Sequence, residues 1–91
     1  MILKQKAFAG TAEGSDVTVM VEPLPDGIEL EIDSIVKAVF GEAIEKTVLE
    51  VLNHFDITAC KISLKDYGAL DCTIRARVET ALDRASKEVK L

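Results

Sequence analysis

Hydrophobic and polar residues alternate along two early stretches of the chain, then recur at three- and four-residue steps along two later ones. In Val17-Thr18-Val19-Met20-Val21-Glu22 the valines share one face, the period-two pattern of a half-buried strand. Ile28-Glu29-Leu30-Glu31-Ile32-Asp33 alternates strictly, which predicts an inner row of Ile28, Leu30 and Ile32 and an acidic row facing water. Between them Pro23-Leu24-Pro25-Asp26-Gly27 breaks the strand, and so short a link predicts an antiparallel hairpin. The period changes at Ser34. Val36, Phe40, Ile44, Val48, Val51, Leu52 and Phe55 form one stripe, predicting an amphipathic helix near 35–54 with Asp33 or Ser34 as its N-cap. Asn53-His54-Phe55-Asp56 ends it. Ile57 to Leu64 reads as another strand with Cys60, Ile62 and Leu64 inward, and Lys65-Asp66-Tyr67-Gly68 as a turn. Leu70, Ile74, Val78, Ala81, Leu82 and Ala85 mark a second helix near 69–86.

This order predicts an α+β fold: a two-layer sandwich, with a small, mainly antiparallel sheet carrying two helices on one face. The elements run β-β-α-β-α, with room for an extra N-terminal strand around Ala7–Ala9. Phe40, Ile44, Val48, Ile62, Ile74 and Val78 are expected to be buried together. The chain 1–91 reads as a single domain, with a flexible N-terminal segment at 1–16 and a compact core at 17–86. Residues 1–6 read as frayed or weakly extended. In Ala7-Phe8-Ala9-Gly10-Thr11-Ala12-Glu13-Gly14-Ser15-Asp16 the small residues predict a loop rather than core.

Composition narrows the function classes. Sixteen acidic against eleven basic residues give a net charge of −5, which argues against nucleic acid and suits docking onto basic protein surfaces. No apolar run approaches a membrane span, and no secretory segment precedes the first strand, so a cytoplasmic protein without membrane contact is expected. Cys60 and Cys72 are accordingly expected to be reduced and buried. With one histidine and no Cys-x-x-Cys pair, no metal site is expected. His54 reads as a capping or packing residue.

No catalytic constellation emerges, so an enzymatic role for the chain itself is not expected. Ser15 has no histidine near it in sequence, and one neighbouring carboxylate, Asp16, is suited only to orient it. Gly10 and Gly14 fail the spacing of a phosphate-binding loop. Arg75 and Arg77 read as partners in intrahelical ion pairs. Two serines are candidates for a covalent arm. Ser15 lies between a glycine and an aspartate on a small-residue tip; against that stands an ordinary N-terminal loop. Ser34, in Asp33-Ser34-Ile35, is similar to the Asp-Ser-Leu phosphopantetheine site of ordinary acyl carrier proteins. Those carriers are four-helix proteins, whereas here strands precede the serine, and Ser34 is better read as a helix N-cap.

Three stretches point further: Ala9-Gly10-Thr11-Ala12-Glu13-Gly14-Ser15-Asp16-Val17, Phe40-Gly41-Glu42-Ala43-Ile44, and Gly68-Ala69-Leu70-Asp71-Cys72 followed by Arg75-Ala76-Arg77-Val78-Glu79. Together they resemble the acyl carrier (γ) subunit family of citrate lyase, over about residues 4–86. The resemblance implies a carrier whose serine is joined by a phosphodiester to 2'-(5''-phosphoribosyl)-3'-dephospho-CoA. It implies three partners: a citrate lyase α (transferase) subunit, a β (lyase) subunit, and the holo-forming phosphoribosyl-dephospho-CoA transferase. An α subunit would exchange acetyl for citrate on the arm, and a β subunit would release oxaloacetate. The family's serine sits in Glu-Ser-Gly-Asp or Glu-Ser-Ser-Asp; this chain has Glu13-Gly14-Ser15-Asp16. The attachment role is therefore carried to Ser15, one place later, with Thr11 as the second choice. The rival readings are a phosphopantetheine carrier modified at Ser34 and an unmodified interaction module.

Overall fold

The computed structural model describes residues 1–35 and 37–87, with side chains for all of them except Lys37 and Ala38. The elements run β1 (Ala7–Gly10), β2 (Val17–Pro23), β3 (Ile28–Ser34), α1 (Lys37–His54), β4 (Cys60–Asp66) and α2 (Asp71–Ser86). One four-stranded sheet has the order β1-β2-β4-β3, and the two helices cover one of its faces, giving the expected small α+β sandwich. The extra N-terminal strand is present as β1.

The inner rows fall where the period-two pattern puts them. Val17, Val19 and Val21 are matched in register by Asp66, Leu64 and Ile62 of β4, and Ala9 and Ala7 lie opposite Val19 and Val21. All of these are buried. Ala7 and Ala9 thus belong to the core, contrary to the reading of residues 7–16 as a loop. Their small side chains let α2 lie close over β1.

The expected β2–β3 hairpin does not form. β4 lies between the two strands, antiparallel to β2 and parallel to β3, so the sheet is mixed. Charge explains the insertion. On the outer face Lys61 is in register with Glu22 of β2 and Glu29 of β3, and Lys65 with Asp33. Lys61 reaches Glu31 at 3.8 Å. Lys61 and Lys65 of the central strand thus face the acidic row of β3, and Lys61 also faces Glu22, the one acid on the outer row of β2. Residues 24–27 bridge the gap, and the Gly27 carbonyl accepts from Cys60 N–H at 3.0 Å. β3 is left at the edge, where its apolar row is only half-buried and Ile28 is exposed.

α1 packs Ile44, Val48, Val51 and Leu52 inward. Phe40, expected in the core, is 54% exposed, because it borders an open groove between the first turns of α1 and the start of α2. Val36, the position just before Lys37 where a cap would sit, falls outside the described residues. Asp33 and Ser34 themselves belong to β3. The helix closes at Asp56, which takes φ 55° while Ile57 N–H donates back to the Leu52 carbonyl at 2.9 Å. Ile57 is buried, but the strand begins only at Cys60 and runs on to Asp66. His54 packs edge-on against Phe55, with ring centroids 5.0 Å apart.

The N-terminus is not frayed. The Lys4 and Gln5 amides both donate to the Ala85 carbonyl, and Gln5 Nε2 to the carbonyls of Arg84 and Lys87, tying the segment to the end of α2. Cys60 is buried, which pushes its thiol pKa up, whereas Cys72 is exposed on α2, contrary to expectation. Both are free thiols. No helix among the described residues is long and apolar enough to cross a membrane.

Candidate functional site

β1 and β2 are joined by a turn at one corner of the sheet, and this turn carries Ser15. Gly10 opens it at φ 93°; a Cβ there would fall 1.7 Å from the Val17 carbonyl oxygen, so only glycine lets the two strands close. Residues 11–15 are exposed. Ser15 takes φ 66°, a left-handed conformation uncommon for a residue with a side chain. A Cβ on neighbouring Gly14 would meet nothing within 4 Å.

The backbone of the turn is fixed, although its side chains face water. Ser15 N–H donates to the Tyr67 carbonyl at 2.8 Å, Tyr67 N–H to the Asp16 carbonyl at 2.9 Å, and Asp16 N–H to the Glu13 carbonyl at 3.1 Å. The turn of β1–β2 is thereby stitched to the turn that follows β4.

Asp16 is the hub. Its carboxylate accepts from Arg77 Nε at 3.1 Å and Nη2 at 2.9 Å, from the Thr11 hydroxyl at 2.6 Å and from Val17 N–H at 2.8 Å. The Arg77 hydrogen bonds above all, then those from Thr11 and Val17, hold this carboxyl well below the usual carboxylate range. An anion so fully occupied orients the turn rather than the Ser15 hydroxyl, which corrects the expectation for Asp16.

The arginines of α2 divide. Arg75 makes the expected intrahelical pair with Asp71, Nε to Oδ2 at 2.8 Å, and also bridges to Glu50 of α1. Arg77 leaves its own helix and pairs with Asp16, 61 residues away. Periodicity carried no sign of this link. The one available hint was that Arg77 and Asp16 both lie in the stretches that carry the family resemblance.

The candidate hydroxyls sit in different surroundings. Thr11 donates to Asp16. Ser34 is half-buried and donates to Asp66 Oδ2 at 2.7 Å. Ser15 is exposed, and its hydroxyl has no hydrogen-bond partner among the described residues. Beside the Tyr67 turn lies an open groove of about 340 Å³, lined largely by apolar groups of Phe40, Ala43, Ile44, Gly68, Leu70 and Ile74. Among the described residues no cluster of three or more His, Cys, Asp or Glu is placed to hold a metal ion.

Against known proteins, residues 4–85 match the acyl carrier family model described as malonate decarboxylase delta subunit (MdcD). The citrate lyase acyl carrier protein of Haemophilus influenzae (strain PittEE) is 50% identical over 88 residues, covering 97% of this chain and 92% of that protein. That of Edwardsiella ictaluri (strain 93-146) is 45% identical over 93 residues, covering 100% of this chain and 94% of that protein. The chain belongs to the citrate lyase acyl carrier protein family. Its fold is shared by a chain of a Pseudomonas malonate decarboxylase hetero-tetramer crystallised with malonate, at a TM-score of 0.60 and 22% identity, over 90% of this chain and 84% of that one. In this citrate lyase carrier family member the turn at residues 11–16 and the first half of α2 are held together by the Asp16–Arg77 pair.

Proposed function

We propose that this chain is the acyl carrier subunit of a cytoplasmic citrate lyase, with a phosphoribosyl-dephospho-CoA arm attached to Ser15. The observation that carries the site is the contrast among hydroxyls. Thr11 and Ser34 are already bonded to carboxylates, and Ser15 projects into solvent without a partner. The surroundings fit a bulky adduct: residues 11–15 are exposed, and the space beside Gly14 is open. The backbone beneath is pinned to Tyr67, so the arm leaves from a fixed point.

When bound, the arm supplies a thiol that holds the acyl group as a thioester. The protein's part is to keep that group at high local concentration for two partner active sites. In this reading the α (transferase) and β (lyase) subunits act on it in turn, yielding acetate and oxaloacetate from citrate. Asp16 is spent on Arg77, Thr11 and Val17, so the base that takes the Ser15 proton belongs to the holo-forming transferase. The net charge of −5 suits docking against basic partner surfaces.

Peptide mass mapping tests this after co-expression with that transferase and the enzyme making its donor. The phosphoribosyl-dephospho-CoA adduct is expected on Ser15, and Ser15→Ala is expected to stay folded and unmodified. An adduct on Thr11, a phosphopantetheine adduct on Ser34, or a bare wild-type chain would overturn it.

A further inference from the structure

Arg77 touches no candidate hydroxyl, yet it makes two of the four hydrogen bonds that the Asp16 carboxylate receives. Its planar fork matches the carboxylate in two-point geometry, which fixes direction as well as distance. It projects from α2, a helix packed on β1 and β2, the two strands that flank the turn. The Asp16 side chain is only 14% exposed, so water competes weakly for it. Asp16 in turn follows Ser15 directly, and its carbonyl accepts from Tyr67 N–H.

Resting on Ser15 as the attachment point, we infer that Arg77 is a positioning residue for the modification: through Asp16 it holds the Ser15 turn in the shape the transferase engages. In that step the Ser15 Oγ attacks the phosphorus bonded to the ribosyl oxygen of a triphosphoribosyl-dephospho-CoA donor. An Oγ–P bond forms, the anhydride P–O bond breaks with pyrophosphate leaving, and the hydroxyl proton passes to a transferase base. Without Arg77 the six residues 11–16 keep the Thr11 and Val17 bonds but lose their tie to the helix layer. The competent shape then becomes one of several, and apparent affinity falls by the fraction of time it is populated.

The test uses the whole carrier with purified transferase and donor. Arg77→Ala is expected to lower kcat/KM for adduct formation on Ser15 by about tenfold or more, carried mainly by KM. Arg77→Lys, which restores charge without the fork, is expected to recover part of that loss. By amide hydrogen exchange, Ser15 and Tyr67 in Arg77→Ala are expected to exchange about tenfold faster or more, with Ile62 in the sheet centre unchanged. Arg77→Gln, which keeps a long polar side chain, serves the same purpose if Arg77→Ala fails to fold. Wild-type modification on Ser15 with an unchanged kcat/KM in a folded Arg77 variant would overturn the inference, as would unchanged exchange at Ser15. An adduct elsewhere in the wild type would instead sink the Ser15 reading, and the exchange measurement would still decide whether Arg77 holds the turn.

Discussion

Ser34, the last residue of β3, donates its hydroxyl to the buried carboxylate of Asp66, the last residue of β4, at 2.7 Å. The other Asp66 oxygen accepts from the amides of Gly68 and Ala69 at 3.1 and 2.8 Å. The serine thus helps to hold the turn that follows β4. Ser34→Ala is expected to cost about 1–3 kcal/mol, the range for a lost hydrogen bond to a charged buried group. Urea denaturation measures this. Adduct formation on Ser15 is expected to persist in the same variant, and its loss would return Ser34 to consideration as the attachment residue.

Core and patch are expected to respond differently to truncation. Ile62 lies fully buried in the central strand, so Ile62→Ala is expected to cost about 2–5 kcal/mol. Phe40→Ala removes a half-exposed ring and is expected to change stability by less, about 1 kcal/mol or below. Equal costs in chemical denaturation would mean that the groove beside α1 is closed.

Asp16 gives the acid limb of stability a definite sign. Its folded pKa lies below the ordinary value of about 3.9, so below that region the unfolded chain binds more protons than the folded one. The contribution is present in full above the unfolded value and is lost as pH falls toward the folded one. Asp71, lowered by its bonds from Thr47 and then Arg75, acts in the same direction. Asp16→Asn is expected to flatten the fall in urea midpoint between about pH 5 and about pH 2. An unaltered slope would show that the bonds to Asp16 do not distinguish its charged form.

The order Gly14-Ser15 sets glycine in an open position and serine at φ 66°. Ser15→Gly is expected to leave stability unchanged or raise it by up to about 1 kcal/mol, since the left-handed backbone strains any residue with a Cβ. The double change Gly14→Ser with Ser15→Gly is expected to fold and to carry its adduct on residue 14. Peptide mapping reads the position, and a folded but unmodified double variant would contradict the expectation.

The two thiols separate by access. Native protein is expected to react with a thiol reagent once, at exposed Cys72, and at buried Cys60 only after unfolding. Intact mass counts the additions.

Much of the architecture was legible because burial imposes simple periods. The rows Val17–Val19–Val21 and Cys60–Ile62–Leu64, and the stripe Ile74–Val78–Ala81–Leu82–Ala85, were read correctly for that reason. Which strands are neighbours was not legible. A period says which face is inward and nothing about partners, and the insertion of β4 rests on matching Lys61 and Lys65 against acids far away in sequence. Phe40 misled because it lies on the same stripe as Ile44, but one turn nearer the helix start that stripe borders an open groove instead of closed core. The candidate site was legible only in part. The exposed turn around Ser15 announced itself by its small residues, whereas the Arg77 link depends on α2 crossing β1 and β2, which a local pattern cannot report.

The central position of β4 bears on how the chain comes into being. As a ribosome releases the polypeptide, β1, β2, β3 and α1 all emerge before the strand that joins the two halves of the sheet. Until residues 60–66 arrive, β1 and β2 can pair only with each other, and the valine row of β2 has no neighbour on its other side. A nascent chain stopped short of Asp66 therefore presents open strand edges of the kind that chaperones bind. Assembly of the sheet waits for the last third of translation, when β4 slides between two strands already made.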